Sequence, residues 1–107
     1  MITTEAVALK FVNEIRVRYH LEPLTELRPG YVNKCEMCTI SESLRECSAI
    51  SEIRTTPNYV RIVHDDSKPY PFATVEEVFN TPMPVHAFIN DFDAGKFPHL
   101  LKKKELN

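Results

Sequence analysis

The residues best suited to chemistry are three cysteines, and all fall in one stretch, Cys35-Glu36-Met37-Cys38-Thr39-Ile40-Ser41-Glu42-Ser43-Leu44-Arg45-Glu46-Cys47. Cys35 and Cys38 have the spacing of a zinc half-site, in which a short loop lets two thiolates converge on one tetrahedral ion. The same pair admits a thiol redox role, because Cys38 immediately precedes a helix start, where a thiolate is stabilised. A third reading makes all three cysteines small apolar residues packed near the core.

The element that follows decides how many of these thiols can meet. Thr39 and Glu42 form a Thr-x-x-Glu capping box, which predicts a helix from Ile40 with Ile40, Leu44 and Cys47 on its buried face. Such a helix carries Cys47 roughly 10 Å or more along its axis from Cys38. Two sulfurs bound to one zinc stand no more than ~4.6 Å apart. Cys47 is therefore expected in the core, and the candidate metal site shrinks to Cys35 and Cys38. His20, His64, His86 and His99 are left to complete it, and none has the paired spacing of a zinc finger. A thioredoxin-like site expects the cysteine pair after a strand within a βαβ unit, which the surrounding pattern does not offer.

Around this stretch the chain reads as an α+β domain. Residues 4–20 have the period of an amphipathic helix, with Ala8, Phe11, Val12, Ile15 and Tyr19 on one stripe, Thr3 or Thr4 as N-cap, and His20 in the last turn before Pro23. Lys10, Glu14 and Arg18 follow at i+4 spacing as a solvated ion-pair row. Leu9 and Val17 fall outside the core stripe and hint at a second contact surface. Residues 22–34 form a connector with a Pro29-Gly30 turn and a short strand at Tyr31-Val32.

Beyond the cysteines, Glu52–Thr56 and Tyr59–His64 are β-rich segments joined by a Pro57-Asn58 turn. In the second, Val60, Ile62 and His64 alternate with Tyr59, Arg61 and Val63. Tyr70 and Phe72 suggest a short edge strand, confined there by Pro69 and Pro71. A second capping box, Thr74-x-x-Glu77, predicts a short helix ending before Pro82. A phenylalanine-rich helix follows from Pro82 or Pro84, burying Val85, Phe88, Ile89 and Phe92 and stopping at Gly95. Its polar face groups His86, Asn90 and Asp93. The Phe97-Pro98-His99-Leu100-Leu101 segment is apolar beyond this last helix and must fold back or meet a partner.

Composition bounds what such a domain does. The 107 residues suffice for one modest core without obligatory disulfides or metal. A net charge of −2 gives no general attraction to nucleic acid, and basic charge gathers only in Lys102-Lys103-Lys104. Tyr59, Arg61 and Tyr70 could form an aromatic and basic sheet face, but the acidic balance opposes phosphate binding. With Gly30 and Gly95 as the only glycines there is no glycine-rich phosphate loop, and no serine stands in a Gly-x-Ser-x-Gly turn. No apolar run approaches ~18 residues, so a soluble, cytoplasmic protein with no membrane contact is expected. An odd cysteine count agrees with a reducing compartment.

The segment Cys35–Leu44, with paired cysteines leading into Ile-Ser-Glu-Ser-Leu after a Pro-Gly connector, resembles a short pattern in small accessory proteins of bacteriophages that infect actinobacteria. The resemblance spans about ten residues. It implies a phage accessory protein in the bacterial host cytoplasm, and carries over no activity and no functional residues.

The sequence thus predicts a single α+β domain over 1–107, with an N-terminal amphipathic helix, a short capped helix after Cys38, a small antiparallel sheet and a phenylalanine-rich C-terminal helix. Residues 97–107 are expected to be a mobile or partner-binding tail. The expected function is a non-enzymatic binding or regulatory protein that engages a protein partner or itself. Leu9, Val17, Phe97, Leu100 and Leu101 are the candidate contacts, and no cofactor is required. The rival readings are a zinc-stabilised nucleic-acid binder using Cys35, Cys38 and a histidine, and a thiol redox protein using Cys35 and Cys38.

Overall fold

A computed structural model describes residues 3–45, 50–65 and 74–102. Its order is α1 (Thr4–Arg18), α2 (Thr39–Leu44), β1 (Ile50–Thr55), β2 (Tyr59–Asp65), β3 (Thr74–Asn80), α3 (Met83–Asp93) and a 3-10 turn at Pro98–Leu100. The strands form an antiparallel meander in the order β1-β2-β3. This is the expected α+β class. The strand alternation holds: Ile53, Val60 and Ile62 are buried, whereas Arg54, Glu76 and Val78 are exposed on the other face. A single core joins Ala8, Val12 and Ile15 of α1, Ile40 and Leu44 of α2, the buried strand residues, and Val85, Phe88, Ile89 and Phe92 of α3.

Helix ends follow local chemistry. Thr3 caps α1 by accepting the Ala6 N–H on its hydroxyl at 3.1 Å. The helix stops at Arg18, two residues earlier than the periodicity suggested. His20 is not in the last turn but just past it, in the left-handed region at φ 61°, with the Leu21 N–H returning to Arg16 O. At α3 the same closure uses the residue suited to it: Gly95 has φ 79°, its N–H bonds Phe92 O and the Lys96 N–H bonds Asp91 O.

Three local expectations are corrected. Thr74–Asn80 is not a helix but the strand β3, paired with β2 along its whole length. Val75, Val78 and Phe79 suit a strand, and long-range pairing overrides a four-residue capping signal. The Thr39/Glu42 box does not form either. Cys38 occupies the N-cap with no side-chain cap bond, Thr39 is the first helical residue and its hydroxyl donates to Arg28 O at 2.5 Å. Glu42 turns outward to Arg45 at 3.1 Å and Lys102 at 2.9 Å. No strand forms at Tyr31-Val32; the connector instead makes one parallel bridge, Gly30 to Leu101. Cys47, Tyr70, Phe72, Lys103 and Lys104 lie outside the described residues.

The C-terminal segment folds back. Leu100 is buried in the core, the Phe97 ring packs tilted against Phe88 with centroids 4.7 Å apart, and Leu101 packs against the same cluster. Leu100 is therefore a core residue, and Phe97 and Leu101 pack half-buried against the same core. The physical reason is backbone as well as apolar: the Gly30 N–H donates to Leu100 O at 2.8 Å and the Lys102 N–H donates to Gly30 O at 3.0 Å. Lys102 also stands over the Tyr31 ring, and His99 meets Glu5 at 3.0 Å.

Candidate functional site

Of the sequence-selected contacts, Leu9 and Val17 remain on the surface together. Both belong to α1, whose buried side is Ala8, Val12, Ile15 and Arg16. On the opposite side Ala6, Leu9, Lys10, Asn13, Glu14 and Val17 line a shallow groove of about 590 Å³. Val17 is 57% exposed, high for an aliphatic side chain, while Leu9 is half-buried at the margin of the core. A second hollow of about 220 Å³ between α1 and the connector shares Ala6 and Leu9 and adds Thr25, Glu26 and Leu27. Asn13 fixes the connector here, donating from Nδ2 to Leu24 O at 3.0 Å and accepting the Leu24 N–H on Oδ1 at 2.8 Å. The groove thus offers apolar side chains flanked by one cation and one anion.

Arg18 does not continue the Lys10/Glu14 row. Its guanidinium turns to the sheet and hydrogen-bonds Glu77 Oε2, from Nε at 2.9 Å and also from its terminal nitrogen. The Tyr19 hydroxyl donates to Glu77 Oε1 at 2.5 Å. His64 Nε2 is buried 3.2 Å from the same oxygen, within ion-pair range but not aligned for a hydrogen bond, and its ring meets Tyr19 edge-on at 5.2 Å. The Arg18 hydrogen bond holds the Glu77 carboxyl below the ordinary glutamate range, against the opposing effect of partial burial, and the Tyr19 hydroxyl helps. This cluster ties the end of α1 to β2 and β3.

The cysteine loop is held mainly by hydroxyl groups. Ser41 Oγ donates to Cys35 O at 2.7 Å and pairs with Thr55 Oγ1 at 2.8 Å, while the Thr55 N–H also bonds Cys35 O. Ser43 Oγ accepts the Arg28 N–H, so the Thr39 and Ser43 hydroxyls together grip both backbone groups of Arg28. Arg16, buried from α1, donates to Glu22 O and to Ser43 O, each at 2.7 Å. A cation on a carbonyl at the end of α2 suits the helix dipole. Cys35 and Cys38 are free thiols, Cys35 half-buried and Cys38 4% exposed. They line one cavity of about 220 Å³ together with Asn33, Lys34, Thr55 and Asp93. Asp93 Oδ1 accepts the Asn33 N–H at 2.9 Å, which ties the end of α3 to the connector.

Among the described residues no three His, Cys, Asp or Glu side chains come together closely enough to hold a metal ion. The zinc reading therefore has Cys35 and Cys38 without a third ligand there. The aromatic and basic sheet face also loses its free charge, since Arg61 is paired with Glu76 and with Glu52. No described helix is long and apolar enough to cross a membrane. No family model, curated protein or solved structure matches the chain.

Sequence reasoning missed Arg16, Ser41, Ser43 and Glu77 as structural anchors. Arg16 carried a usable signal, lying four residues beyond Val12 on the buried side of α1. Ser41 and Ser43 carried none, because their partners are backbone groups distant in the chain.

Proposed function

We propose that this chain is a small non-enzymatic binding protein that engages a protein partner through the outward face of α1. The observation that carries the reading is the convergence of Leu9 and Val17, off the core stripe in sequence, on one apolar-lined groove of about 590 Å³. Fully burying an exposed aliphatic side chain contributes about 1.5–3 kcal/mol, so Val17 would contribute more than the half-buried Leu9, and the flanking Lys10 and Glu14 favour a partner that presents both charge signs. The short likeness of Cys35–Leu44 to actinobacteriophage accessory proteins would place that partner in the cytoplasm of a bacterial host.

A photo-crosslinking residue at position 17, compared with one at Val78, tests this. Val78 is 51% exposed on the far face of the sheet and serves as a control of similar accessibility. A defined protein adduct is expected from position 17 and not from position 78; a dimer-sized adduct would identify the partner as a second copy. The Val17→Asp variant should still fold, losing about 1 kcal/mol or less to the negative charge in the last turn of α1, and lose the partner. Identical adducts from both positions, or capture undiminished by Val17→Asp, would refute the reading.

A further inference from the structure

We propose that Cys35 and Cys38 form a dithiol that closes to an intramolecular disulfide by exchange with a low-molecular-weight disulfide. This modification site is separate from the α1 face and does not depend on it. Both residues line the same cavity of about 220 Å³, and residues 35–37 form a turn. That turn, closed by the Met37 N–H on Lys34 O, curls the chain between the two cysteines, and a disulfide spans Cα separations of about 4.4–6.8 Å.

The surroundings give the two thiols different parts. Cys35 is half-buried and reachable from two sides, since it also lines a second hollow with Asn33, Lys34, Glu36 and Met37. Cys38 is 4% exposed, and its described hydrogen bond, to Ser41 Oγ, is long at 3.7 Å. Cys35 is then the attacking thiolate. It bonds to one sulfur of the small disulfide and expels the other as a thiolate. Cys38, giving its proton to solvent, attacks the Cys35 sulfur and displaces the second small thiolate. Two cysteine thiols are oxidised, one small disulfide is reduced to two thiols, and the two protons lost by the cysteines end on those products.

The backbone around the pair is already fixed. Cys35 O accepts from the Thr55 N–H and from Ser41 Oγ, the Met37 N–H bonds Lys34 O, the Tyr31 N–H bonds Met37 O, and the Glu42 N–H bonds Cys38 O. Closure in the folded chain should therefore need less ordering than closure in the unfolded chain, and the fold should favour the disulfide.

The test uses the full chain, reduced and then equilibrated with glutathione disulfide and glutathione, alkylated and digested with trypsin. Cleavage after Lys34 and Arg45 leaves Cys35 and Cys38 in one peptide, 35–45, and Cys47 in another, 46–54. Expected is a 35–45 peptide lighter by two hydrogens and unalkylated, with Cys47 alkylated. The Cys38→Ser variant should accumulate a glutathione mixed disulfide at Cys35. The closed fraction should correspond to an equilibrium constant at least about tenfold larger in native than in urea-unfolded protein. Full alkylation of 35–45, a disulfide joining 35–45 to 46–54, no adduct in Cys38→Ser, or equal constants in native and unfolded chain would each overturn the proposal.

Discussion

Replacing Gly30 by alanine tests the packing argument most directly. A Cβ at position 30 would stand 2.6 Å from Met37 O and closer still to Cys38 C and Thr39 N. All three are backbone atoms, so no rotamer change relieves the clash; the connector must move off the start of α2. Overpacking by a methyl group costs about 1–3 kcal/mol where side chains can adjust. Moving Gly30 also endangers its two hydrogen bonds to the C-terminal segment, from its N–H to Leu100 O and from the Lys102 N–H to its own carbonyl, each worth about 1 kcal/mol. A loss of about 3–5 kcal/mol follows, a large part of the roughly 5–15 kcal/mol that holds a typical domain. Gly95→Ala supplies the reference. That position has φ 79° and no atom within 4 Å of an added Cβ, so it should cost only the left-handed strain of about 1–2 kcal/mol. Equilibrium urea denaturation measures both. A Gly30→Ala variant no more destabilised than Gly95→Ala would refute the backbone clash at position 30.

Two further predictions concern contacts that bind distant parts of the chain. Leu100→Ala should lower stability by about 2–5 kcal/mol, since Leu100 is a core residue; a change below about 0.5 kcal/mol in the same urea experiment would return residues 97–102 to the status of a surface tail. Glu77→Gln should be less stable than wild type at neutral pH. Because the folded state depresses the Glu77 pKa, the carboxylate's contribution is complete above the unfolded glutamate value and is lost as pH falls through the lower folded value. The difference between the two proteins should therefore narrow on acidification and vanish below both values. A difference independent of pH would show that Arg18 and Tyr19 do not act on the charge.

The buried stripes of α1 and α3, the β1–β2 hairpin and the Gly95 stop were legible because each rests on periodicity or turn chemistry within one segment. β3 was not. Thr74 and Glu77 satisfy a helix-start pattern, and what makes them strand residues is a pairing partner in β2 and an arginine on α1. The C-terminal segment failed for the same reason. Its apolar character was visible, but that it closes on Gly30 depends on a connector about seventy residues away in the chain. Leu9 and Val17 were legible as off-stripe positions, and the structure adds the groove that joins them.

The helix that follows the cysteine pair is held by tertiary contacts rather than by its own cap. Thr39 and Glu42 do not cap α2, and a helix of six residues is too short to be stable by itself. It persists because Thr39 and Ser43 hold Arg28 from one side, Ser41 holds Cys35 and Thr55 from another, and Arg16 reaches Ser43 O from α1. The turn carrying Cys35 and Cys38 takes its rigidity from this hydroxyl framework, and Gly30 presses directly on its end. A covalent change at the two thiols would therefore act where α2, β1 and the C-terminal segment are all tied to the connector.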